Sequence, residues 1–172
     1  FVSGDRRLRF VQLYDKAGNL NSLTLIREFR QGTVAKERPP LSVDQLLGKW
    51  QGIAHTVYSD WEPSKTYTTQ LEVQRIGNGQ LRQELSFGEQ TITSIANIKD
   101  NRLDFESGAI TRRILLLPDG TSSNTPLKLK LGQSFFVELG WLVKENERQR
   151  LIRSYNEKGA WVHSTFVIEK RI

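Results

Sequence analysis

Two arginines one residue apart, Arg148 and Arg150, follow a glutamate, Glu138, across a short polar turn. A guanidinium offers a planar fork of N–H donors that matches a carboxylate, so this pair could grip an acidic ligand. Glu138 could exchange a proton with such a ligand. Alternation along a strand places Arg148, Arg150, Ile152 and Ser154 on one face. The preceding segment puts Phe136, Glu138, Gly140 and Leu142 on one face in the same way. Phase alone does not say which faces point inward. If they do, the three charged groups carry one surplus positive charge. Buried charges cost several kcal/mol each unless paired, so that trio would call for an anion. Phe136, Leu142, Ile152 and Trp161 would supply apolar walls around it. If they point outward, the same residues form a surface ladder worth at most about 1 kcal/mol per ion pair.

Other chemistry is sparse. The chain has 172 residues, two histidines (His55 and His163) and no cysteine. This excludes disulfides, thiolate metal sites and cysteine nucleophiles, and no metal is expected. There is no nucleophile elbow and no phosphate-cradling glycine loop. The net charge of +6 could suggest nucleic acid, but the basic residues are scattered among acids without a Lys/Arg block. No nucleic-acid partner is expected. No apolar run reaches the 18 or so residues of a membrane span. The lack of cysteine fits a reducing compartment, and the expected setting is the cytoplasm or the plastid stroma.

The elements that must position Glu138 and the arginines read as strands. From Trp50 onward the segments are Trp50–Tyr58, Tyr67–Ile76, Leu81–Phe87, Thr91–Ile98, Arg102–Glu106, Ile110–Leu117, Phe135–Val143, Arg148–Tyr155 and Trp161–Glu169. Turn signals such as Gly77-Asn78-Gly79, Pro118-Asp119-Gly120 and Asn156-Glu157-Lys158-Gly159 separate them. Thr121 to Gln133 reads as a long mobile loop. Ser42-Val43-Asp44-Gln45 has the pattern of a capping box and starts one helical turn, Val43 to Leu47. Many short strands with tight turns argue for an all-β antiparallel barrel, which has no exposed edges. Trp50 would plug its closed end, its indole covered by a cation from the last strand, Arg171 or Lys170.

The hairpin that carries Arg148 and Arg150 occurs twice. Residues Arg6 to Arg30 recur without a gap at Glu147 to Arg171: Arg7 falls on Arg148, Arg9 on Arg150, Glu28 on Glu169 and Arg30 on Arg171. A tandem duplication explains this. Residues 1–30 then read as the terminal hairpin of a preceding, mostly absent barrel, 31–40 as a linker and 41–172 as a barrel of their own.

Gly48-Lys49-Trp50 with the late Arg171 resembles the signature of the calycin superfamily, which includes the lipocalins. The C-terminal third, with Glu138, Trp141, Asn146-Glu147-Arg148-Gln149-Arg150 and Glu169-Lys170-Arg171, is similar to the S-type phycobiliprotein lyases. Those barrels hold a linear tetrapyrrole and help attach it to phycobiliproteins. The resemblance implies that Glu138 and Arg148 match a chromophore-handling pair, and that Arg150 and Trp141 belong to the same site. Over its whole length the chain resembles an uncharacterised cyanobacterial and plastid family of two tandem lipocalin-like barrels.

The expectation is a lipocalin-like barrel that binds a small, largely apolar, acidic ligand in its lumen. A tetrapyrrole or an isoprenoid is the leading guess, and a linear tetrapyrrole is the one cofactor considered. Two alternatives stay open. One is a lyase or chaperone that delivers a bilin to a phycobiliprotein, with Glu138 catalytic. The other is a filled barrel acting as an assembly factor through the Ser122-Ser123-Asn124 segment.

Overall fold

The computed structural model describes residues 1–34, 36–77 and 79–172. Ala35 in the linker and Asn78 in the predicted Gly77–Gly79 turn lie outside the described residues. Strands β1 (Val2–Ser3), β2 (Arg6–Tyr14) and β3 (Leu20–Phe29) come first, followed by one helical turn, α1 (Val43–Leu46). Then come β4 (Gly48–Tyr58), β5 (Lys65–Ile76), β6 (Gln80–Phe87), β7 (Gln90–Lys99), β8 (Arg102–Phe105) and β9 (Arg112–Leu117). The last four are β10 (Thr121–Pro126), β11 (Phe135–Lys144), β12 (Glu147–Tyr155) and β13 (Trp161–Arg171).

The ten strands β4 to β13 form a closed barrel in which each pairs antiparallel with its neighbours in sequence. The all-β antiparallel barrel expected from the sequence is therefore present. β13 closes it on β4, from His163 opposite Tyr58 to Arg171 opposite Trp50. Eight strands leave an interior just wide enough for side chains or one small ligand, and ten leave more.

One sequence expectation is overturned. The segment read as a loop from Thr121 begins with β10, seated between β9 and β11. Its Ser122-Ser123-Asn124 stretch is therefore barrel wall and not a contact loop. Its polar composition hid it. Thr121, Ser123 and Thr125 are buried on the outer face, and their hydroxyls find partners. Thr121 Oγ1 donates to the Pro118 carbonyl, Ser123 and Thr125 share a hydrogen bond of 2.8 Å, and Gln12 Nε2 donates to Thr125 Oγ1. A tight turn with left-handed backbone at Asp119 (φ 61) and Gly120 (φ 70) connects β9 directly to β10.

One end of the barrel is filled. Ser42 and Gln45 form the capping box of α1, which tucks Val43 and Leu46 into the opening. These pack with Leu41, Trp50, Leu81 and Leu103 in a single apolar cluster. Trp50 Nε1 donates to the Leu46 carbonyl at 3.0 Å, and the Arg171 guanidinium lies 4.5 Å from its ring centre. Arg171 also donates to the carbonyls of Leu47 and Gln45, groups that the end of α1 leaves without helical partners.

β1, β2 and β3 make a separate sheet over the outer face of β10 and β11. Leu8 is buried there, Leu20 N–H donates to the Leu127 carbonyl and Leu129 N–H to the Gly18 carbonyl. Arg6 and Arg38 both donate to the buried carboxylate of Asp119, at 2.8 and 3.0 Å. No helix of the described residues is long and apolar enough to cross a membrane.

Gly52 on β4 shows how tight the inner wall is. A Cβ there would lie 2.6 Å from Thr69 Oγ1 and 2.9 Å from Glu169 Cγ. Gly52→Ala is expected to lower unfolding free energy by about 1–3 kcal/mol through overpacking, read as a reduced urea midpoint at unchanged slope.

Candidate functional site

Four charged side chains cross the lumen above Trp50. β12 places Arg148 and Arg150 on its inner face, β11 contributes Glu138 and β13 contributes Glu169. Antiparallel register sets Arg148 opposite Glu169. Arg148 Nε donates to Glu169 Oε2 at 2.7 Å. Its second terminal nitrogen lies 2.5 Å from the same oxygen, without hydrogen-bond alignment. Arg150 spends all three of its nitrogens. Nε and one terminal nitrogen donate to Glu138 at 2.6 and 3.2 Å, and the other donates to Glu169 at 2.9 Å. Glu169 is 1% exposed.

Two cations meet two anions, so the group is neutral. The sequence reading counted Glu138, Arg148 and Arg150 as a trio with one unmatched positive charge. Glu169 cancels it, and neither arginine is held in reserve for a ligand. Burial pushes Glu138 up, but Arg150 and then Arg148 outweigh it and hold the carboxyl below the ordinary range. Glu169 is likewise pushed up by burial and pulled lower by Arg148 and Arg150. Burial opposes the charge on Arg150, while Glu138 and Glu169 raise it above the usual arginine range.

Above this group the barrel is open. A cavity of about 600 Å³ extends toward the end away from Trp50. Its walls are mostly apolar and include Leu85, Phe87, Phe105, Phe136, Ile152 and Val167. Glu138 and Arg150 lie on its floor. Arg148 lies deeper, lining only a recess of about 50 Å³ toward the filled end. Its guanidinium is 5.1 Å from the Trp50 ring centre.

Phe136 and Ile152 thus line the cavity. Trp161 does not: it stands at the mouth, edge-on to the exposed Trp61 at 6.4 Å, with its indole N–H donated to Ser164 Oγ. Leu142 belongs to the filled end. Trp141 is outside the lumen altogether, because it is one residue out of phase with the inward face of β11. Phe1 and Arg38 cover it there, and its N–H goes to the Asp119 carbonyl. Its expected place in the ligand site is corrected accordingly.

The sequence reading missed Arg112, the first residue of β9. Its guanidinium carbon sits 3.5 Å over the Phe136 ring centre, facing the cavity. Nε donates weakly to Asn124 Oδ1 at 3.4 Å. Its terminal nitrogens have no hydrogen-bond partner among the described residues, and no carboxylate there comes within ion-pair distance. The adjacent Arg113 points outward and takes Asp104 at 2.6 Å. Burial pulls Arg112 down to about 10, with Glu138 acting against that and Arg150 adding to it. It stays charged at neutral pH. Two more buried atoms have no partner among the described residues: His163 Nδ1 toward the mouth and Thr69 Oγ1 beside Gly52 at the floor.

Residues 37–172 match the family model described as Biogenesis factor required for ATP synthase 1, C-terminal domain. Residues 1–33 match the N-terminal part of a domain of unknown function, DUF3598. A crystal structure of a DUF3598-family protein of unknown function from Nostoc punctiforme superposes with a TM-score of 0.95 at 50% identity. That likeness covers 100% of this chain but 64% of that one, so the chain spans less than two thirds of its relative. The S-type phycobiliprotein lyase of Guillardia theta superposes with a TM-score of 0.58 at 12% identity, over 76% of this chain and 90% of that one. At that identity the likeness is one of fold. No curated protein matches the chain. The resemblances to the two-barrel family and, distantly, to the S-type lyases are both found.

The charged group makes stability depend on acid. Glu138 and Glu169 have folded values below the ordinary 4.5. Their contribution is therefore fully present above that value and is lost as pH falls through the lowered ones. Glu169→Gln strips the carboxylate from two buried arginines and is expected to cost about 3–5 kcal/mol. It should also flatten the acid dependence. Urea unfolding of both proteins from about pH 7 to about pH 3 checks this.

Proposed function

The chain belongs to the family of the C-terminal domain of Biogenesis factor required for ATP synthase 1, and on its open lumen we propose that it is a lipocalin-like barrel that holds a small, largely apolar, acidic ligand. The observation that carries this reading is the cavity itself. At about 600 Å³ it falls within the size of small-molecule sites. Its lining surface is more apolar than polar, with Thr56, Gln83, Asn124, Glu138 and Arg150 among the polar groups that face it. A tetrapyrrole and an isoprenoid acid are both within the class.

Lyase-like transfer of a bilin to a phycobiliprotein has less support. The S-type lyase likeness is one of fold, and Arg150 holds Glu138 ionised. Glu138 could then accept a proton but would be a poor donor.

A second reading comes from the family description. A domain of a biogenesis factor for ATP synthase could act by holding a subunit during assembly. The filled lower half and closed wall would then be a rigid platform, and the cavity incidental.

One variant separates the two. Ile152→Trp places an indole in the cavity while leaving the outer wall unchanged. Titration with 1-anilinonaphthalene-8-sulfonate, an apolar anion that brightens on burial, should show binding to the unmodified chain. The variant should lose at least about tenfold in affinity, with its far-ultraviolet circular dichroism unchanged. No binding by the unmodified chain would sink the ligand reading. Binding to isolated ATP synthase subunits that survives Ile152→Trp would favour the platform.

A further inference from the structure

We infer that the cavity takes a ligand with a single acid group on an apolar body, and that Arg112 receives that group. This rests on the ligand-holding reading and makes it more specific. Among the described residues, five charged side chains face the inside of the barrel. Arg112, Arg148 and Arg150 are positive, Glu138 and Glu169 negative. The last four pair with one another, Arg150 through all three nitrogens and Arg148 through Nε. Arg112 is left over, so one anion neutralises the lumen. A second acid group would have no cation to meet. Burial holds His163, the remaining titratable imidazole of the cavity, below its ordinary value of 6.5, so it is neutral at physiological pH.

The geometry of Arg112 suits this role. Its flat face is occupied by Phe136, which fixes the plane of the guanidinium. Its Nε is turned to Asn124. The two terminal nitrogens remain, with four N–H donors that form the fork a carboxylate accepts two at a time. A second recess of about 260 Å³ shares Gly108, Ile110, Arg112 and Phe136 with the main cavity, so the acid end of the ligand would have space around it. The apolar body would run from there past Phe105, Ile152 and Val167 toward the mouth. His163 Nδ1, toward the mouth, is without a partner among the described residues and could meet a neutral polar group there. A long-chain or isoprenoid monocarboxylate has this pattern. A bilin, with two propionates, has one acid too many.

The test uses cis-parinaric acid, its methyl ester and biliverdin, titrated by fluorescence or absorbance against the full chain, Arg112→Gln and Arg112→Lys. Arg112 has no ion-pair partner, so Arg112→Gln strands no buried carboxylate. The acid is expected to bind at least about tenfold tighter than its ester, the worth of one charged hydrogen-bonded contact. Arg112→Gln should erase that preference while the ester still binds, and Arg112→Lys should keep part of it. Acid and ester binding equally, or a preference that survives Arg112→Gln, would overturn the inference alone. So would biliverdin binding tighter than the monoacid through Arg112. No binding by any of the three probes would overturn the ligand reading beneath it as well.

Discussion

The carboxylate of Glu169, shared between Arg148 and Arg150, is the contact on which the interior depends. It sits at 1% exposure, where an unpaired charge would be untenable. Its position requires Gly52 opposite, because any Cβ there would meet the Glu169 stem. It requires the β12–β13 register that sets Arg148 across from it. It also divides the barrel. Below it, Arg148 approaches Trp50 and the space is filled by Leu46, Leu81 and their neighbours. Above it, Arg150 and Glu138 form a polar floor and the space is open. A neutral group is a good floor because it offers a ligand no net charge of its own. What the floor does not satisfy, Arg112, stands out for that reason.

The duplicated hairpin gives an internal comparison. In β2 and β3, Arg7 and Arg9 both bond Glu28, at 2.7 and 3.0 Å, and Arg7 lies opposite Glu28 as Arg148 lies opposite Glu169. The same three residue types in the same register thus make the same contact twice. Their surroundings differ. Arg7 and Arg9 side chains are 57% exposed, against 8% for Arg148 and 13% for Arg150. An exposed pair is worth at most about 1 kcal/mol, whereas breaking a buried one costs about 3–5 kcal/mol. The repeated Arg-x-Arg and Glu pattern is therefore a feature of the hairpin, and its energetic weight comes from what covers it.

This explains what could be read from the sequence. The strands with apolar alternation and glycine turns were legible to within a residue or two, as was the capped helical turn below Trp50. β10 was not, because Ser, Thr and Asn carry no apolar signal and are satisfied only by partners distant in sequence, such as Gln12. For the site, parity placed Glu138, Arg148 and Arg150 on shared faces but could not choose inside from outside. Glu169 was within reach: the turn at Asn156–Gly159 sets the register that brings it to Arg148. Trp141 was admitted against its own phase, on resemblance. Arg112 left no signal, since the Arg112-Arg113 pair reads the same in either phase and only the barrel shows that Asp104 takes Arg113.

The same geometry bears on how a ligand and a partner protein could both matter. The barrel wall is thinnest at β8, which pairs with β7 over three residues and with β9 over four. Arg112 begins β9 at that point, and Phe136, against which it stacks, belongs to β11. An acid bound at Arg112 would tie the weakest part of the wall to one of the strongest, at the cost of ordering only groups already held in place. Ligand that binds the folded form alone stabilises it by an amount that grows with the logarithm of its concentration relative to Kd. The outer surface over β7 to β9 carries ion pairs of its own, with Asp104 gathering Arg113, Arg102 and Lys99. Ligand binding at Arg112 and partner binding at the outer surface therefore draw on different residues, which is why Ile152→Trp separates the two readings.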